Sequence, residues 1–228
     1  MKLSSRLQCI ANLIETCEAA ADIGTDHAYL PIYLIHSQIC KKVIACDVRN
    51  EPVKKAQRNV RKAGLADKIE VRLGNGLEVV KESEAESIII SGMGGTQITR
   101  ILEGGQAIIR TFQSLILQPM TQHFELRNWL KNNNYEIVDE DLCKEDGRIY
   151  LILKVDCKTK NQDGINIYFG NILFKKRHPL LAEYIKKYIK EFEDVKLELL
   201  STNSAKLNKT LKEIEQKIEL FNNFLNQV

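Results

Sequence analysis

Ala20-Ala21-Asp22-Ile23-Gly24-Thr25-Asp26-His27-Ala28-Tyr29-Leu30-Pro31 decides how the remaining sequence is read. A small apolar run ends at Asp22, turns at Gly24 and passes through polar residues into the apolar Tyr29–Ile35 segment. That is the pattern of a buried strand feeding a helix through a ligand-binding turn. The next strand-like run, Lys42-Val43-Ile44-Ala45-Cys46, ends in Asp47. An acid at the tip of a second strand, where a ribose offers two hydroxyls, fits a nucleoside-binding α/β half-domain. Asp26 and Ala28 stand where a Gly-x-Gly-x-x-Gly turn would continue with glycines. This disfavours a pyrophosphate, which needs close backbone approach and repels a carboxylate, and with it a nicotinamide dehydrogenase.

Upstream, Leu3, Leu7, Ile10, Leu13 and Ile14 recur at helical spacing over 3–16, with Ser4 or Ser5 available as N-cap. Downstream, the pattern predicts a helix at Pro31–Ser37, a strand at Val43–Asp47 and a helix at Glu51–Ala63 with Gly64 at its C-cap. A third strand, Ile69–Leu73, runs into Gly74-Asn75-Gly76, where the backbone must turn tightly. Ser87-Ile88-Ile89-Ile90-Ser91 reads as a central parallel strand buried on both faces, stopping at Gly92-Met93-Gly94-Gly95 before a helix at Thr96–Leu102. Ser114–Leu117 repeats the pattern into Gln118-Pro119-Met120, with a helix at Phe124–Lys131. Glu136–Asp141 and Arg148–Val155 follow as strands joined through Lys144-Glu145-Asp146-Gly147, a loop or hairpin. Strand–helix units capped by an antiparallel pair give an α/β, Rossmann-like seven-stranded methyltransferase sheet.

The polar stretch Asp156–Gly164 marks a boundary, predicting domains at 1–155 and 171–228 with a linker at 156–170. Beyond it, Leu181, Ile185, Tyr188, Phe192, Val195 and Leu199, then Leu207, Leu211, Ile214, Ile218, Phe221 and Leu225, step by three and four. Ser201–Ser204 supplies a turn and an N-cap between them. An antiparallel, coiled-coil-like helical hairpin is expected.

At 228 residues and 44% hydrophobic content, the chain can bury a full core. No window approaches a membrane span, and the N-terminus lacks the features of a signal peptide, so a cytoplasmic protein away from membranes is expected. The six cysteines show no Cys-x-x-Cys pair and no nearby His at zinc spacing; reduced packing thiols and no metal are expected. A net charge of +3 is too mild to imply nucleic acid. The run Arg49, Lys54, Lys55, Arg58, Arg61 and Lys62 reads equally as a phosphate grip or a solvated helix face.

Four strand ends fit one methyl-donor nucleoside. Gly24 and Thr25 let backbone approach an amino-acid moiety whose ammonium Asp22 could hold; Asp47 would take the ribose hydroxyls. Gly74, Asn75 and Gly76 would leave room for the adenine edge, and Ser91 and Gly92 would close the cofactor site. The motif Asp22–Pro31 resembles the bacterial tRNA (adenine-22-N1) methyltransferase family, as do Leu3-Ser4-Ser5-Arg6-Leu7, Gly74-Asn75-Gly76-Leu77, Ser91-Gly92-Met93-Gly94-Gly95 and Leu117-Gln118-Pro119-Met120. The match covers the whole chain, most sharply residues 3–120.

The resemblance implies a class I enzyme that uses S-adenosylmethionine and methylates N1 of adenine 22 in tRNA, with tRNA as partner and a monomer as the expected state. Asp26 would then orient N6–H and stabilise the cationic adduct, with His27 and Tyr29 shaping the base pocket. Met93, Gly94, Gly95 and Pro119 would form the substrate side. Plainer roles stand beside these: Asp26 as a cap, His27 as a structural residue, Tyr29 as core, Met93 as packing, and Gly94 and Gly95 as residues that only start a helix tightly. Methylation of another RNA or nucleobase, or RNA binding without catalysis, are the alternatives. The absence of an Asp/Asn-Pro-Pro-aromatic turn after the fourth strand favours a ring nitrogen over an exocyclic amine. The hairpin reads either as a tRNA brace, with Lys175, Lys176, Arg177, Lys186, Lys187 and Lys190 near its entry, or as a dimerisation element.

Overall fold

The computed structural model describes residues 2–160, 166–201 and 207–228. They form two compact units, Met1–Ile172 and Leu173–Val228. In the first, seven strands lie in one sheet: β1 (Cys17–Ile23), β2 (Cys40–Asp47), β3 (Ile69–Leu73), β4 (Ser87–Met93), β5 (Ser114–Pro119), β6 (Tyr135–Glu145) and β7 (Arg148–Lys160). The order is β3-β2-β1-β4-β5-β7-β6. β1 to β5 run parallel, and β7 enters antiparallel between β5 and β6. The strand order reverses beside β1, which has β2 on one side and β4 on the other, and there the carboxyl ends splay into a crevice.

The centre of the sheet is dry because its strands are buried on both faces: Ile88, Ile89, Ile90, Leu115, Ile116 and Leu117 are all fully covered. Truncating one of these to alanine costs about 2–5 kcal/mol. The connecting helices are α1 (Ser5–Asn12), α2 (Tyr29–His36), α3 (Asn50–Lys62), α4 (Gly95–Gly104), α5 (Gln106–Ile109) and α6 (His123–Asn132), with a short 3-10 turn at Gly76–Val79.

Several element ends differ from the sequence reading. Helix α1 starts after Ser4, whose Oγ accepts the Leu7 N–H, and stops at Asn12; Leu13 and Ile14 are buried outside it. Helix α2 begins at Tyr29 rather than Pro31, because Ala28 takes a left-handed conformation (φ 55°) and Pro31 falls in the first turn, where no N–H is needed. Strand β4 continues past Ser91 to Met93, with a register shift against β5 over that stretch. The β6–β7 link is a two-residue turn, since Asp146 (φ 50°) and Gly147 (φ 75°) both take positive φ, as a type I′ hairpin requires.

β7 runs on to Lys160, beyond Val155, and the compact unit extends to Ile172. A buried ion pair explains the extension. Arg127 of α6 pairs with Glu140 of β6, and its Nε donates to the Asn166 carbonyl at 3.0 Å, while Phe169 is buried. Residues 161–165 of the expected linker, and the Thr202–Ser204 part of the expected interhelical turn, lie outside the described residues.

The second unit holds α7 (Asn171–Lys175, begun just before it), α8 (Leu181–Ser201) and α9 (Leu207–Leu225). Tyr188 and Phe192 pack edge-on against Phe221, and Lys196 pairs with Glu215 at 2.8 Å. Later residues of α8 thus meet earlier residues of α9, so the pair is antiparallel. Val195, expected in the apolar stripe, is exposed at 43%. Among the described residues no helix is long and apolar enough to cross a membrane.

Candidate active site

The crevice at the reversal of strand order is a cleft of about 900 Å³. Its floor comes from the tips of β1 and β2. The Gly24 and Thr25 N–H groups both donate to the Cys46 carbonyl, at 2.7 and 2.8 Å, tying the loop after β1 to the end of β2. Gly24 has φ 84°, and a Cβ there would lie 2.0 Å from the Met93 Cε. Only glycine allows that turn and that approach together.

Asp22 is buried beside this turn. Burial, opposed by a Thr25 hydrogen bond and reinforced by the Asp47 charge, pushes its pKa up to about 6. Its neighbours are a hydroxyl and a second carboxylate, so an incoming ammonium would relieve it. Asp47 is buried too; its Oδ1 accepts the Arg49 backbone N–H at 2.8 Å and the Arg49 Nε at 3.2 Å, which leaves Oδ2 for a ligand. Cys46, between them, is held neutral: burial raises its thiol pKa to about 12.

The far wall is the Gly74–Glu78 segment. Gly74 donates to the Asp47 carbonyl at 3.1 Å, and a Cβ on it would strike Val79 Cγ1. Asn75 Nδ2 reaches Glu78 Oε1 at 3.0 Å. Behind this wall, Arg72 donates to the Val79 carbonyl and to both oxygens of Glu84, and the guanidinium holds the Glu84 carboxyl down at about 2.

The rim differs in character. Asp26 is 56% exposed in its side chain, with an oxygen 3.2 Å from His27 Nε2. His27 stacks on Tyr29, centroids 5.0 Å apart and planes at 6°. Tyr29 is 46% exposed, so it is not core; nor does Asp26 cap α2, whose N-cap Ala28 has no side-chain cap bond. The His27 carbonyl accepts from Asn59 Nδ2 of α3 at 2.9 Å, which fixes the loop from behind.

Of the expected substrate wall, Met93 lines the cleft, as do Ser91 and Gly92, but Gly94, Gly95 and Pro119 do not. A Cβ on Gly95 would lie 2.1 Å from the Gln122 carbonyl oxygen, so this glycine exists for the close docking of α4 on the loop before α6. Pro119 is buried, paired in register with Met93. Sequence reading assigned no individual role to Arg6, which lines the cleft, or to Gln118, which holds it, although each lies in a motif that carries the resemblance. No group of three or more His, Cys, Asp or Glu among the described residues could hold a metal ion, and the cysteines are free thiols.

A parallel sheet reversing at β1, an acid at the tip of β1, a second at the tip of β2 and an antiparallel β7 define a class I-type methyltransferase fold. The family described as "Methyltransferase domain" matches residues 3–153. The chain is 36% identical to the tRNA (adenine(22)-N(1))-methyltransferase of Bacillus subtilis, covering 96% of this chain and 95% of that protein. It therefore belongs to the tRNA (adenine(22)-N(1))-methyltransferase family. The crystal structure of the B. subtilis M1A22 tRNA methyltransferase TrmK superposes with a TM-score of 0.89 at 33% identity, covering 98% of this chain and 99% of that one. Sp1610 of Streptococcus pneumoniae, a putative tRNA (m1A22) methyltransferase in complex with S-adenosyl-L-methionine, superposes with a TM-score of 0.87 at 32% identity, covering 98% and 100%.

Proposed function

We propose that this protein methylates N1 of adenine 22 in tRNA, with S-adenosylmethionine as donor. The observation that carries the reading is the joining in one cleft of two buried strand-tip carboxylates, Asp22 and Asp47, with an exposed Asp26-His27-Tyr29 rim. Bound S-adenosylmethionine supplies an electrophilic sulfonium methyl group. Asp22 holds the donor's ammonium, Asp47 the ribose hydroxyls, and the Gly74–Gly76 turn leaves space for the adenine ring.

N1 of the target lies on the Watson–Crick edge, so the base reaches the rim unpaired or extruded. Its lone pair needs no deprotonation before attack; alignment and charge stabilisation are what the rim must supply. The methylated ring is cationic until an N6 proton leaves. Asp26 accepts a hydrogen bond from N6–H, stabilises that cation and takes the proton to solvent, to which it is open. The stacked His27–Tyr29 pair gives a flat surface for an extruded purine. The glycine-rich end of β4 carries no acceptor pair for an exocyclic amine, which agrees with a ring nitrogen as target.

In the second unit Lys175, Lys176, Arg177, Lys186, Lys187 and Lys190 are all exposed, which supports a role in bracing tRNA. A tRNA substrate carries a cytoplasmic location with it. The test is direct: purified protein, S-adenosylmethionine and unmodified tRNA are incubated and the nucleosides mapped by mass spectrometry. 1-Methyladenosine at position 22 is the expected product; a methyl group elsewhere, or none, overturns the assignment.

A further inference from the structure

We propose that Asn59 is a positioning residue for methyl transfer: its amide holds the His27–Ala28 peptide in an orientation the backbone would otherwise leave, and so sets where Asp26, His27 and Tyr29 meet the base. The proposal rests on the reading of those three side chains as the base-facing rim. The loop that carries them is fastened at its first residues, where the Gly24 and Thr25 N–H groups donate to the Cys46 carbonyl. Its far end is built differently. The N-cap of α2 is Ala28, which has no side-chain cap bond and takes φ 55° and ψ 26°, where an N-cap is ordinarily extended.

A left-handed backbone crowds an alanine Cβ against a neighbouring carbonyl, a cost that glycine does not bear. The ψ of His27 and the φ of Ala28 turn about the two ends of one peptide plane. Rotating that plane alone returns Ala28 to negative φ with little movement of the chain on either side. The rotation also swings the His27 carbonyl away from Asn59, whose Nδ2 donates to it at 2.9 Å. A carbonyl only accepts, so the Asn59 amide must face it with its nitrogen. The anchor is itself rigid: Asn59 sits on α3, a 13-residue helix that buries Pro52, Val53, Ala56 and Val60, and its own carbonyl accepts the Ala63 N–H at 2.9 Å.

The rim residues lie on both sides of the held plane, Asp26 and His27 before it and Tyr29 after it. The His27 and Tyr29 rings stack with centroids 5.0 Å apart and planes at 6°, and an Asp26 oxygen lies 3.2 Å from His27 Nε2. The stack exists only at the present setting of the torsions between the two rings, so a turned peptide tilts them apart and moves the Asp26–His27 pair with them. The cleft floor is spared, because Asp22 and Gly24 precede the held plane and Thr25 is bonded to Cys46. Loss of the Asn59 bond therefore falls on the alignment of the base, where a displacement of about 1 Å costs about a hundredfold in rate.

Single-turnover methylation of tRNA by the full chain, at saturating donor and tRNA, tests this beside the separate affinities for donor and tRNA. Asn59→Ala should slow the chemical step about tenfold to a hundredfold and leave both affinities within about twofold. Asn59→Asp keeps the shape and removes the N–H, so it should slow the step as much; a wild-type rate in Asn59→Asp would make Asn59 a packing residue and overturn the proposal. Ala28→Gly removes the cost of the left-handed conformation. In a chain that already carries it, Asn59→Ala should cost at most about threefold, since the peptide has no strain to escape. An equal cost in both backgrounds overturns the proposal. So does a loss confined to donor affinity, which would put the loop in the donor pocket, or to tRNA affinity, which would give Asn59 to the RNA. A wild-type chain that methylates no adenine of tRNA defeats the reading of the rim itself.

Discussion

Asp22 and Asp26 belong to the same turn, yet the first is buried in the cleft floor and the second is more than half exposed at the rim. The floor is over-determined: Gly24 and Thr25 are bonded to the end of β2, Met93 fills the space a side chain at Gly24 would need, and Asp47 is held by Arg49. Among the described residues the rim rests on a stacked pair, the Asp26–His27 contact and an amide bond from Asn59. A small donor of constant shape can be met by a preformed pocket, whereas a base delivered by a macromolecule needs an accessible edge that other contacts bring into register.

Splitting the two regions by mutation should give different kinetic signatures. At the rim, Asp26→Ala is expected to lower the single-turnover methylation rate by about a hundredfold or more, with donor affinity by calorimetry unchanged. If donor affinity falls instead, the distinction between rim and floor fails. In the floor, Asp22 gives the next largest effect, and one of unusual sign. Its folded pKa, about 6, lies above the ordinary carboxylate value of 3.8, so the folded chain holds more protons than the unfolded chain between those values. Its contribution to stability is present in full below the lower value and is lost as pH rises through about 6. Asp22→Asn should therefore stabilise the unliganded protein at pH 7.5, by about 3 kcal/mol at most, seen as a raised Tm. The same substitution should cost donor affinity. Wild-type affinity should rise with pH to a plateau above about 6, falling about tenfold per unit below it, because the ammonium prefers the ionised carboxylate.

Asp47→Ala is expected to weaken donor binding about tenfold to thirtyfold while sparing the chemical step of the loaded enzyme. The smallest effect is behind the wall. Arg72→Met should cost about 1–2 kcal/mol of stability, a modest figure because the Arg72–Glu84 pair is partly solvated. The Glu84 carboxyl is depressed to about 2, so that stabilisation is present above the ordinary carboxylate range and disappears as pH falls toward 2, which acid denaturation of the two proteins would reveal.

Much of the floor was legible along the chain, because each strand tip announces itself locally: an apolar run, then an acid or a glycine. Asp22, Gly24, Asp47 and Gly76 all line the cleft as their positions suggested. The second glycine cluster left two readings open, a substrate wall or a tight helix start, for a physical reason. Gly92 borders the cleft, but Gly95 is required by the Gln122 backbone, and nothing local separates a glycine that admits a ligand from one that admits another segment. Ala28 was likewise unreadable, since a left-handed alanine has no composition signal. Arg6 and Gln118 meet across more than a hundred residues of sequence, and a single basic residue on a short amphipathic helix looks like any solvated one.

By itself the sequence determined the parallel sheet, its antiparallel close, the helical second unit and the acids at the first two strand tips, because these follow from periodicity and turn chemistry over a few residues. The tertiary structure alone decided which of these groups share a cleft, which carboxylate is desolvated and which stays in water, and that a leader-helix arginine comes to the end of β4. Desolvation and pairing depend on neighbours brought in from distant strands, and no local pattern encodes them.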